Sequence, residues 1–246
     1  MTLVAKMRWG MIAFLAYGIL SFAADKKDDA KTHGNTVDSG SFGVFVKGQR
    51  VVTETFSVQQ ENGISTVKSR LQDAGNSNSL QSSELQMTGS GELISYEWND
   101  KNGSLTVLPK NEFLIEKITT GTAKPAERPF LMPNTSAVLD NNFFVQREVL
   151  AWRYLATNCH ADTGNLKCQQ GPVEFGVLVP QDQTSMRVRM ELTGQQKIAI
   201  HGTERDLLRI DLKGESFAWT LWVDGNDQFK LVRVDIPDDN TEVVRD

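Results

Sequence analysis

Residues 186–192 read Met-Arg-Val-Arg-Met-Glu-Leu, an alternation of apolar and charged side chains without a fault. Successive side chains of a strand point to opposite faces, so Met186, Val188, Met190 and Leu192 share a dry face and the charges a wet one. A helix would scatter the same residues around its circumference. The period recurs less strictly over residues 52–58, and again over 208–212, 217–223 and 232–236, where Phe217, Trp219, Leu221 and Val223 form one inward row. Asn62-Gly63, Asn102-Gly103 and Asp224-Gly225 lie between such runs, and these residue types tolerate the left-handed backbone of tight hairpins. Residues 194–196 and 213–215 read as further turns. Short hairpins between closely spaced strands imply an antiparallel sheet. About ten or eleven strands are expected.

One segment changes period. After a loop carrying Pro125, Pro129 and Pro133, residues 140–158 place Val145, Val149, Trp152 and Ala156 at helical spacing, widened by Phe144, Glu148 and Leu155. Asp140 is the expected N-cap. One long amphipathic helix in a sheet protein packs most simply across the dry face.

The chain opens with Lys6 and Arg8, then an uncharged run over residues 9–22, then Ser21-Phe22-Ala23. This is the pattern of a secretory signal peptide, residues 1–23, with cleavage near Ala23. The apolar run is shorter than the roughly 20 residues a membrane span needs, and no later segment is long and apolar enough. The expected product is periplasmic or secreted, with no transmembrane span. Removing residues 1–23 takes away two basic groups and no acidic one, moving the formal charge from −5 to −7. That balance argues against broad nucleic-acid binding. Residues 24–41 are polar and read as a flexible leader, 42–237 as a single β-rich domain, and 238–246 as an acidic tail. With 39% hydrophobic and 23% charged residues, the 246-residue chain is neither disordered nor fibrous.

Cys159 and Cys168 follow the predicted helix directly. In an oxidising compartment two lone cysteines at this spacing are most simply a disulfide that pins the helix end to the next strand. A metal site from Cys159, His160, Asp162 and Cys168 is the weaker reading, because adjacent residues rarely converge on one ion. No cofactor or metal is implied. His201 stands at a strand end, with Asp206 and Asp211 as conceivable partners, but no serine lies in a Gly-x-Ser-x-Gly elbow. No catalytic residue is assigned.

Residues 136–140 (Ser-Ala-Val-Leu-Asp) lead into a helix ending in Leu150-Ala151-Trp152-Arg153-Tyr154-Leu155. Residues 188–194 and 207–212 follow, then Phe217-Ala218-Trp219-Thr220-Leu221-Trp222-Val223-Asp224 and Leu231-Val232-Arg233-Val234-Asp235-Ile236-Pro237. This succession resembles a family of bacterial periplasmic proteins of unknown function that look like the lipoprotein-localisation carriers. The resemblance covers about residues 40–237 and implies a curved, half-open antiparallel barrel with a helix over its mouth. In the carriers such a cavity shields acyl chains, so the expected ligand is a lipid or other apolar molecule. Val149, Trp152, Met186, Met190, Phe217 and Trp219 are the candidate lining. The alternatives are an envelope interaction or assembly protein that meets a protein partner through the charged sheet face, or a hydrolase around His201.

Overall fold

The computed structural model describes residues 34–75, 79–121, 123–162 and 165–246. Eight strands come first: β1 (Asn35–Val46), β2 (Gln49–Glu61), β3 (Ile64–Asp73), β4 (Ser79–Thr88), β5 (Leu93–Asp100), β6 (Gly103–Lys110), β7 (Phe113–Thr120) and β8 (Ala126–Leu131). A short β9 (Ala137–Val138) precedes the helix α1 (Val145–Asn158) and the hairpin of β10 (Cys159–Asp162) and β11 (Asn165–Cys168). Then follow β12 (Val173–Val179), β13 (Thr184–Ile200), β14 (Thr203–Lys213), β15 (Ala218–Asp224), β16 (Lys230–Ile236) and β17 (Thr241–Arg245). Fifteen of these strands form one sheet, in the order β8 back to β1, then β17 back to β12, then β9. All its pairs are antiparallel except β9 against β12. Its edges, β8 and β9, are joined by only five residues yet do not pair, so the sheet curls without closing. Across the gap, Arg128 on β8 donates to Gln183 beyond β12 at 3.2 Å.

Alternation sets the two faces. Val188 and Met190 are fully buried while Arg187 and Arg189 are exposed. Lys47-Gly48, Asn62-Gly63 and His201-Gly202 each have positive φ at both residues, the geometry that matches the twist of paired strands. Residues 194–196 are not a turn. Gly194, at φ 139°, lies at a bulge that shifts the register between β13 and β14, and β13 runs on to Ile200. Beyond it Ile198, Ile200 and Leu207 pack with Trp222, Val232, Val244 and Phe45 in a second, smaller core. Part of the face expected to be wet is therefore dry.

Among the described residues the strands number seventeen, against ten or eleven expected, because several carry no alternation to read. The first half of β1 is polar and was expected to be leader, yet from Asn35 it pairs with β2. The expected acidic tail contains β17, whose Val243 and Val244 are buried between β1 and β16, while Asp246 pairs with Arg50. Two adjacent valines outweigh the surrounding acids, since burial on both faces stabilises a central strand. The expected signal peptide, residues 1–23, and residues 24–33 of the expected leader lie outside the described residues.

The helix starts at Val145 rather than near residue 140, and its N-cap position is Phe144, not Asp140. Its buried side is also wider than the predicted stripe: Gln146, Arg147 and Glu148 are buried along with Leu150, Ala151, Tyr154 and Leu155, whereas Ala156 is exposed. Cys159 and Cys168 form a disulfide. They face one another across the β10–β11 pair, a hairpin separate from the main sheet, so the bond closes that hairpin onto the helix end. Replacing both cysteines by serine is expected to lower unfolding free energy by about 1–3 kcal/mol while leaving the sheet intact. Urea denaturation with far-ultraviolet circular dichroism checks both parts.

Candidate ligand-binding cleft

The first turn of a helix has amides with no partner of their own, and here they enter a dry interior. Glu54 on β2 meets them: the Phe144 amide donates to Oε2 at 2.6 Å and the Val145 amide to Oε1 at 3.3 Å. The Ser69 hydroxyl on β3 donates to Oε1 at 2.6 Å. Burial pushes the Glu54 carboxyl up to about 7, against the opposing pull of Ser69, the two amides and the Arg147 charge.

Asp140, one turn before the helix, gathers a second group. Tyr96 on β5 and the Gln181 amide both donate to its carboxylate, and the Asn142 amide does so at 2.8 Å. Burial raises the Asp140 carboxyl above its ordinary value and the Tyr96 phenol well above its own. The Arg147 guanidinium is fully buried between them. Its Nη1 donates to the backbone carbonyls of Asp140 and, at 2.7 Å, Phe143, while Nε and Nη2 have no hydrogen-bond partner. The rings of Phe144 and Trp219 each lie 4.9 Å from the guanidinium carbon. Burial lowers Arg147 to about 10, which leaves it charged at neutral pH.

Those two rings are also walls of a cleft of about 370 Å³ at the mouth of the curled sheet. Val44 and Val46 of β1, Val52 of β2, Leu71 of β3 and Ile236 of β16 complete its apolar lining, with Asn141, Asn142, Asp239 and Thr241 at the rim. A larger concavity, about 470 Å³, lies elsewhere, over the outer surface of β2–β5, and its lining is largely polar: Thr55, Ser57, Lys68, Arg70, Glu84 and Asn99 among others.

The six lining residues expected from sequence do not converge. Trp219 lines the cleft and Phe217 packs on it, ring centroids 4.5 Å apart. Met190 is core. Met186 is half-buried on β13, and Val149 lines a separate crevice of only about 20 Å³ beside Leu85 and Met87. Trp152 donates to the Phe229 carbonyl at 2.7 Å. Glu54, Tyr96, Asp140 and Arg147 escaped the sequence reading as site residues, although alternation along β2 sets Glu54 between Val52 and Phe56 on the dry face.

His201 contacts the Arg245 carbonyl at 2.8 Å, and Asp211 is held by Arg209 and Lys213, so these two are engaged apart from one another. Among the described residues no group of three or more His, Cys, Asp and Glu side chains is placed to hold a metal ion, and no helix is long and apolar enough to cross a membrane.

No protein-family model and no curated protein matches the chain. Among solved structures it is similar to a β-barrel-like protein of a domain of unknown function, DUF1849, from Brucella abortus. The two are 6% identical with a TM-score of 0.49, over 84% of this chain and 93% of that one.

Glu148 and Glu116 are buried as well. Glu148 on α1 meets Arg245 at 2.9 Å and accepts from the Leu231 amide, yet burial lifts it to about 8. Glu116 on β7 has no partner for either oxygen, and burial lifts it to about 7 despite the Arg128 charge. The folded chain thus keeps protons that the unfolded chain releases near pH 4.5, and this contribution to stability is lost as pH rises through 7–8. Glu116→Gln should stabilise the fold by about 1–3 kcal/mol at pH 8.5 and leave it unchanged near pH 4.5. Urea titrations at the two pH values measure the difference.

Proposed function

We propose that the protein is an exported binding or carrier protein for an apolar ligand, a lipid or acyl chain, and that it works in the periplasm or outside the cell after cleavage near Ala23. The observation that carries this reading is the cleft of about 370 Å³ walled by Val44, Val46, Val52, Leu71, Phe144, Trp219 and Ile236. Its size and apolar walls with a polar rim suit one small apolar ligand. The resemblance to periplasmic carriers supports the same use of the curved sheet. The disulfide fits an oxidising compartment.

The outer face is a weaker place for a protein partner, because several of its charges are matched to one another. Lys68 meets Glu84 at 3.3 Å, Arg189 meets Glu174 at 3.0 Å, and Arg233 meets Asp235 at 2.6 Å.

Native mass spectrometry and lipid extraction of the protein from its own compartment test the proposal. A bound apolar molecule released on denaturation is expected. Val52→Arg, which puts a charge on a half-buried wall, should lose the ligand while keeping its circular dichroism spectrum. A protein that carries nothing and takes up no added dodecanol would overturn the reading.

A further inference from the structure

Arg147 is buried with half of its guanidinium unused. Its bonded side, Nη1, goes to two backbone carbonyls, and the Nε–Nη2 edge meets no acceptor among the described residues. The neighbouring acids are committed elsewhere: Glu54 to Ser69 and the helix amides, Asp140 to Tyr96, Gln181 and the Asn142 amide. An Nε–Nη2 edge is the fork that takes a carboxylate through two parallel hydrogen bonds. Phe144 and Trp219, whose rings each lie 4.9 Å from the guanidinium carbon, also line the cleft, so Arg147 lies directly behind part of its wall. Reaching the fork from the cleft requires the half-buried Trp219 to move.

We propose that the ligand of the cleft is a single-chain fatty acid, its tail along Val44, Val52, Leu71 and Ile236 and its carboxylate held by Nε and Nη2 of Arg147. This inference rests on the reading of the cleft as an apolar-ligand site and adds the headgroup. A cleft of about 370 Å³ has room for one chain rather than several. Burial in low dielectric makes the charge-assisted pair stronger than it would be at the surface.

The test compares dodecanoate with dodecanol, both below micelle formation, on the full chain by calorimetry and by Trp fluorescence. Dodecanoate should bind at least about tenfold more tightly, the scale of a hydrogen bond to a charged group. Arg147→Met should remove that preference while leaving dodecanol binding in place, and Arg147→Lys, which keeps the charge but not the fork, should recover only part of it. Equal binding of the two probes, or a preference that survives Arg147→Met, overturns the headgroup assignment and leaves the apolar cleft standing. Binding of neither probe overturns both. Should the variants fail to fold, carboxyl-labelled dodecanoate on the unsubstituted protein decides by carbon NMR: its bound carboxyl should titrate below the free acid, and titration at or above the free value rejects the pairing.

Discussion

The fold depends on Glu54. A helix can lie in the hollow of a curled sheet only if its first amides find acceptors there, because each buried amide left unpaired costs about 1–3 kcal/mol. Glu54 reaches across from β2 to two of them, and Ser69 on the next strand holds the carboxyl in place. Once α1 is anchored, Phe144 and Arg147 are carried to the mouth of the sheet, where Trp219 completes the wall. Tyr96 and Gln181 hold Asp140 and so set the path by which the chain enters the helix. The cleft therefore follows from a contact made some 90 residues earlier in the chain.

The same acids that organise the helix also strain the interior. Their raised proton affinities record a compromise: each carboxyl is useful as an acceptor, but as an ion it lacks water. Apolar residues of equal volume would pack as well. What they would not do is accept from the amides at the helix start and offset the charge of a buried guanidinium in one fixed arrangement.

Much of the architecture was legible because strands with one dry face advertise themselves by alternation, as residues 186–192 do. The antiparallel sheet, the helix and the cystine followed from such local patterns, whereas the half-open curl came only with the family resemblance. Where burial is two-sided or paid for by hydrogen bonds, the pattern vanishes. Gln146-Arg147-Glu148 reads as the polar side of a helix and is inside. Gly194 reads as a turn and is a bulge, since glycine permits both and only the neighbouring strands decide. Val243-Val244 was hidden among acids. The site was hardest to see, because its parts come from β2, β5, α1 and β15 and no short motif joins them.

The sheet consists of two meanders, β1–β8 and β12–β17, joined along one seam where Phe42 pairs with Arg245. β1 and β17 are therefore neighbours, and the seam cannot form until β17 has been made. Contacts so distant along the chain make folding slow, since the loop between them must close before they contribute. Until then β1 has an open edge and the first meander lacks half of its core. The two meanders thus stay apart until β17 arrives, and that one strand completes the curl of the whole sheet.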